Sequence, residues 1–162
     1  MSIRKRAYFA ETEIVGTSKK GNGVGYFERQ DGTRWPVEVS FTIPGDKVRI
    51  MITRKRSGVY HGRLEELLQA SADRVAPRCK HFGLCGGCRW QQIPYEMQLK
   101  NKQEFVRYCF KELLTDEVDV GEILPCQDNW HYRNKMEYTF SSDAANNHYL
   151  GLIIDSSKGR VF

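Results

Sequence analysis

Between residues 10 and 64 the chain alternates short stretches of period-two hydrophobicity with turn chemistry, and few folds can absorb that pattern. The stretch "RWPVEVSF" sets Trp35, Val37, Val39 and Phe41 on one face and Pro36, Glu38 and Ser40 on the other. "DKVRIMITR" places Val48, Ile50 and Ile52 inside, with Lys47, Arg49 and Thr53 outside. Successive side chains of a strand point to opposite faces, so both stretches read as half-buried strands. "ETEIVGT", "GVGYFER" and "GVYHGRL" are three further strand candidates, separated by the turn sequences "KKGNG", "QDGT", "IPGD" and "KRSG". Pro36 cannot donate to a ladder, so its strand should be an edge or carry a bulge. Five short strands in so few residues predict a small closed barrel of OB-like type, with an SH3-like barrel as the alternative. The glycines of "GNGVGYF" lack the following helix that a phosphate loop needs, and read as a turn.

Past the barrel, "EELLQASADRVAPR" (residues 65 to 78) reads as a connector ending near Pro77. "PYEMQLKNKQEFVRYCFKELL" is the one strong helix pattern: Pro94 suits its first turn, and Leu99, Val106, Cys109 and Leu113 fall near one stripe. "HYRNKMEYTFSS" and "HYLGLIID" read as two strands joined by a "DAANN" hairpin loop, and "SSKGRVF" as the start of a third. The expectation is a mainly β chain in two units: a barrel over residues 1–68, then a small, incomplete α+β segment over residues 69–162.

Charge adds a partner class. The net charge is +5, and all of the excess lies in residues 1–70, which hold 13 Lys or Arg against 8 Asp or Glu. The clusters are Arg4-Lys5-Arg6, Lys19-Lys20 and Arg54-Lys55-Arg56. A solvated basic face is the plain reading. Small barrels of this type also bind single-stranded nucleic acid in a basic groove with exposed aromatics, for which Tyr26, Phe27, Trp35 and Tyr60 are the candidates. Lys19, Lys20, Arg54 and Lys55 are the expected phosphate contacts. No apolar run has the length of a membrane span, and the N-terminus lacks the hydrophobic stretch of a secretory signal, so a cytoplasmic protein without membrane contact is expected.

In that compartment five cysteines favour metal binding or catalysis over disulfides. Three of them, Cys79, Cys85 and Cys88, crowd into "RCKHFGLCGGCRWQQ". Gly83, Gly86 and Gly87 would let the loop curl so that backbone N–H groups point at sulfur. The spacing has one Cys-x2-Cys pair and a lone upstream cysteine, which fits an iron–sulfur cluster better than zinc, although zinc stays open.

"CKHFGLCGGCRWQQIPYEMQLKNKQEFV" resembles the cluster segment of the bacterial 23S rRNA uracil-5-methyltransferases, with Gln91, Tyr95, Gln98, Leu99, Lys102 and Val106 on the motif positions of the helix that follows. "YRNKMEYTF" and "YLGL" are similar to the next motifs of that family, and the basic barrel is similar to its TRAM domain. The resemblance implies an RNA partner, 23S rRNA, and a 4Fe-4S cluster on Cys79, Cys85 and Cys88 whose fourth ligand lies just past Phe162. Cys126 and Cys109 are the only internal substitutes, and Cys109 is expected to be a buried free thiol. The resemblance also implies that S-adenosylmethionine, the nucleophilic cysteine and the base belong to a catalytic domain that this sequence lacks, so that the chain alone would not methylate RNA. Arg133 and Asn134 of "YRNK" become candidate RNA contacts. Two readings compete: a free-standing RNA-binding protein with structural zinc, and a radical S-adenosylmethionine methylthiotransferase. The latter has a Cys-x3-Cys-x2-Cys motif and its TRAM domain at the other end.

Overall fold

Five strands close on themselves in the order β1-β2-β3-β5-β4: β1 (Tyr8–Thr17), β2 (Gly23–Glu28), β3 (Arg34–Val39), β4 (Lys47–Arg56) and β5 (Val59–Gln69). This is the OB-like barrel that the alternation predicts, and the small α+β segment follows it as expected. The structure is a computed structural model that describes residues 8–29 and 31–154. The Arg4-Lys5-Arg6 cluster and the strand expected in "SSKGRVF" lie outside the described residues.

The inward faces are the period-two positions. Ile14, Phe27, Val37, Val39, Val48 and Ile50 form the buried core, with Trp35, Ile52, Tyr60 and Leu64 packed partly against it. Burying each Val or Ile side chain stabilises the fold by about 1.5–3 kcal/mol. The barrel closes where β3 runs parallel to β5, matching Val37 with Tyr60 and Val39 with Gly62. That ladder begins at Val37, so Pro36 lies just outside it. β3 is thus neither the edge strand nor the bulged strand that Pro36 led one to expect: Pro36 pairs with Tyr26 of β2, and its missing N–H falls where the β5 ladder has not yet begun.

β5 is longer than its sequence pattern. It continues through Glu66, Leu67 and Gln69, paired with Arg49, Val48 and Lys47 of β4. Residues 65–69, read as connector, are therefore strand. The cause is non-local: β4 extends as an outward ladder whose hydrogen bonds need a partner.

Just past β5 the chain is fastened back to the barrel. Asp46, whose side chain is fully buried, accepts hydrogen bonds from the backbone N–H groups of Ile43 and Ser71 and from the Arg74 guanidinium. Arg74 also donates to the Phe41 carbonyl at 2.9 Å. Phe41 has a left-handed backbone, φ 64°, and its ring meets Phe82 edge to face at 5.3 Å. A non-glycine residue in this region is strained by roughly 1–3 kcal/mol, and the Arg74 and Phe82 contacts hold it there. Gln92 and Ile93 are buried beyond the cysteine loop, and Val75 donates to the Gln92 carbonyl.

Helix α1 (Tyr95–Phe110) starts after Pro94, as expected, but buries no residue. Leu99 is half-buried, while Val106, Cys109 and Leu113 are exposed. The expectation of a buried Cys109 is thus corrected: α1 meets the barrel along one flank near Trp90, and its apolar stripe has no element against it among the described residues. Strands β6 (Thr139–Ser142) and β7 (His148–Gly151) form the expected hairpin, though shorter than their patterns. Asp143 organises its loop, accepting from the Asn147 side chain and backbone and from the Tyr149 hydroxyl, and these bonds lower its pKa to about 2. Among the described residues no helix is long and apolar enough to cross a membrane.

Candidate nucleic-acid interface

One mouth of the barrel gathers aromatic rings and cations. Cross-strand register does the gathering: Phe27 of β2 lies opposite Trp35 of β3, and Tyr60 of β5 opposite Lys55 of β4. Phe27 is buried and meets Tyr60 edge to face at 5.2 Å, and Tyr60 meets Trp35 at 5.8 Å. The Lys55 ammonium sits 3.5 Å from the Trp35 ring centroid and 5.0 Å from that of Tyr60. Contacts of this kind are worth about 0.5–1 kcal/mol at an exposed site. Here their larger effect is positional, because they hold a flexible cation over a ring stack at the barrel rim.

The turn residues Ser57 and Gly58, both at positive φ, let β4 double back so that Arg54, Lys55 and Arg56 are presented together at the tip. All three are exposed. Two other barrel cations are committed to carboxylates: Arg49 bonds Glu11 at 3.0 Å and Glu66 at 2.6 Å, and Arg63 bonds Glu65 at 2.7 Å. On the outer wall the Arg34 guanidinium lies 4.6 Å from the exposed Tyr26 ring. Trp35 is further held by its indole N–H, which donates to Thr33 Oγ1 at 2.9 Å. The Thr33 hydroxyl and backbone N–H in turn bond Asp31 and lower its pKa.

The expected contact residues do not converge on this mouth. Arg54 and Lys55 are there, but Lys19 and Lys20 lie in the turn between β1 and β2, at the other end of β1. Ten residues of strand at about 3.3 Å each put the two groups roughly 25–30 Å apart. Lys19 lies 4.4 Å from the Tyr108 ring of α1 instead. Arg133 sits with Cys85, Gly86 and Gly87 in a separate cleft of about 630 Å³, and both Arg133 and Asn134 are exposed. The sequence reading missed Arg34, which "GTRW" hides in a turn-like context. It also missed the lysines of α1, whose interleaving with Phe105 and Tyr108 in "KNKQEFVRYCFK" is the signal that marks them.

The cysteine loop does not fit the cluster expected of it. Among the described residues no group of three or more His, Cys, Asp or Glu side chains is placed to hold a metal ion. The three thiols are not gathered, and the loop's backbone is spent on turns. The N–H groups of Phe82, Leu84 and Cys85 close turns onto Cys79 and His81 carbonyls, and Gly86 donates to the Ile153 carbonyl. The Cys79 N–H is taken by the Gln91 side chain. Only the Gly87 N–H, among these bonds, is directed at a sulfur, that of Cys85 at 3.3 Å. Cys79 and Cys88 are exposed, Cys85 is half-buried beside Ile154, and Cys126 bonds the Asp128 carbonyl through its own thiol. The iron–sulfur cluster on Cys79, Cys85 and Cys88 is therefore withdrawn, and with it the zinc alternative and Cys126 as an internal fourth ligand. In that cleft Glu137 pairs with Lys135 at 2.8 Å.

No family model matches the chain. It is 48% identical over 126 residues to an uncharacterized RNA methyltransferase of Protochlamydia amoebophila, covering 78% of this chain and 28% of that protein. A second, from Caldanaerobacter subterraneus, is 38% identical over 134 residues, covering 82% and 28%. The chain is therefore similar to part of these RNA methyltransferases, in keeping with the resemblance that its sequence shows. It spans under a third of the length of these relatives, so what they do as whole proteins is not written in this fold alone. Among solved structures, the Pyrococcus abyssi tRNA (uracil-54, C5)-methyltransferase in complex with S-adenosyl-L-homocysteine aligns at 24% identity, covering 62% of this chain and 21% of its own, with a TM-score of 0.39. That likeness is too slight to bear on the fold.

Proposed function

We propose that this chain is the RNA-capturing part of an RNA methyltransferase acting on uracil C5 of ribosomal RNA, the 23S species, in the cytoplasm. In this reading residues 1–68 form the RNA-binding unit, and residues 69–162 form a second unit fastened to it. The observation that carries the proposal is the mouth of the barrel, where Lys55 is held 3.5 Å above Trp35 beside Arg54 and Arg56. A cation positioned in advance loses less side-chain entropy when it takes a phosphate. The rings beneath it offer an unpaired base a surface on which any of the four can stack. Lys19 and Lys20 extend the cationic track, and Arg133 and Asn134 contribute a bidentate phosphate donor and a base-edge amide. The similarity to RNA methyltransferases supports RNA over other polyanions.

The test is fluorescence anisotropy with an unstructured RNA oligonucleotide. Lys55→Glu and Trp35→Leu should each weaken binding about tenfold, while Arg63→Glu, a cation already paired with Glu65, should change it little. Equal effects from all three substitutions would show a diffuse charge response and remove the barrel mouth from the site.

A further inference from the structure

On the flank of the barrel away from Lys55, a groove of about 550 Å³ runs between the β1–β2 turn and α1. Its volume falls in the range of small-ligand sites, about 300–1,000 Å³. Lys19, Lys100 and Lys102 line it against a single carboxylate, Glu104. Among the described residues Glu104 pairs with Lys100 alone, at 3.9 Å, so the groove keeps an excess of positive charge. Phe105 and Tyr108 stand one turn apart on the same side of α1 and are 41% and 51% exposed. Both rings line the groove and are open to water.

The floor of the groove is built. Trp90 donates its indole N–H to the Gly21 carbonyl at 2.7 Å, and Gly21, at φ 77°, lies so close under the ring that a side chain there would enter it. Lys102 reaches over the same ring at 6.0 Å. A second observation is independent of charge: Asn101, a half-buried residue of the groove lining, holds its Nδ2 group out of water with no hydrogen-bond partner among the described residues, and a small shift of that side chain would bring the donor to the groove. A buried donor left unmade costs about 1–3 kcal/mol, and an acceptor supplied by a ligand would recover it.

We infer that this groove is a second RNA site, taking one unpaired nucleotide of the strand that the barrel mouth binds. The base stacks against Phe105 and Tyr108, a base carbonyl accepts from Asn101, and the flanking phosphates lie between Lys19 and Lys102. The inference rests on the RNA-binding reading above. It extends that reading from one end of β1 to the other, a span in keeping with the 4–16 nucleotides that such barrels engage. Cations without rings would suit any polyanion. Rings, cations and an orphan amide donor together select a nucleobase with its phosphates.

The experiment is photo-crosslinking of the full chain to an unstructured RNA 12-mer carrying 4-thiouridine at one position in turn, with tryptic mapping. Crosslinks should fall on "QEFVR" (residues 103–107) or "YCFK" (residues 108–111) from one end of the oligonucleotide, and on the Trp35 and Tyr60 peptides from the other. Crosslinks confined to barrel peptides would overturn the groove while leaving the RNA-binding reading intact. An oligonucleotide that neither binds nor crosslinks would remove both. As a second readout, Tyr108→Leu should weaken the 12-mer at least about fivefold and leave a 4-mer unchanged. Equal weakening of both lengths would assign Tyr108 a structural role and reject the site. Tyr108 is half exposed, so its replacement should leave the thermal transition unmoved.

Discussion

The Arg74 guanidinium closes on the Asp46 carboxylate with two bonds, Nη2 to Oδ2 at 2.7 Å and Nε to Oδ1 at 3.1 Å, and so ties the segment after β5 to the turn before β4. The Asp46 side chain is fully buried and that of Arg74 only 17% exposed. Burial alone would raise the Asp46 pKa. The bonds from Arg74, Ser71 and Ile43 outweigh it, and the pKa is held below its ordinary value. A carboxylate lowered in the folded state contributes stability above its unfolded pKa and loses it as pH falls through the folded one. Removing one partner of a buried pair costs about 3–5 kcal/mol. Asp46→Asn should therefore be clearly less stable than the parent at pH 7, by urea melts. The gap should narrow below pH 4, where the parent loses what the variant already lacks. A pH-independent gap would show that Asp46 acts by shape and not by charge.

Gly21 and Trp90 offer a second test. The Gly21 backbone is left-handed and the indole ring covers its Cα, so Gly21→Ala forces both an unfavourable φ and a displaced ring. The expected loss is about 2–3 kcal/mol of stability, read by thermal unfolding. Trp90→Phe keeps the ring and removes the bond to the Gly21 carbonyl, and should cost about 1 kcal/mol. If Gly21→Ala is silent, the packing of Trp90 on this turn is wrong.

The cysteine loop is testable by its chemistry. Cys79, Cys88, Cys109 and Cys126 are exposed and Cys85 half-buried. Iodoacetamide should label the first four in the native protein, with Cys85 slower, and chelators should not change the order. Joint protection of Cys79, Cys85 and Cys88, released by a chelator, would contradict the geometry described here.

The barrel was legible because each strand announces its own inward face. Val37, Val39, Val48 and Ile50 are buried where period two places them, and the turns fall at the glycines between. What could not be read locally depends on partners distant in sequence. The tail of β5 is strand because β4 extends beside it. Cys109 is exposed because α1 leaves its apolar stripe uncovered. Spacing and resemblance point to a cluster at Cys79, Cys85 and Cys88, yet the loop's turns and its bond to Ile153 do not bring those thiols together to hold a metal. At the interface, the sequence named Arg54 and Lys55 but not their seat over Trp35 and Tyr60, which only cross-strand register creates. It grouped Lys19 and Lys20 with them by charge, although β1 holds the two pairs at opposite ends.

The most direct test of the central claim, that this barrel holds an RNA strand by its phosphates, is the salt dependence of binding. Each phosphate neutralised on a single strand contributes about −0.7 to the slope of log affinity against log salt. With about five contacts from Arg54, Lys55, Arg56, Lys19 and Lys20, the affinity of an unstructured 12-mer measured from 50 to 200 mM KCl should give a slope of about −3 to −4. Reversing the charge of Lys55 should make that slope shallower. An affinity that stays flat across this range would contradict the account.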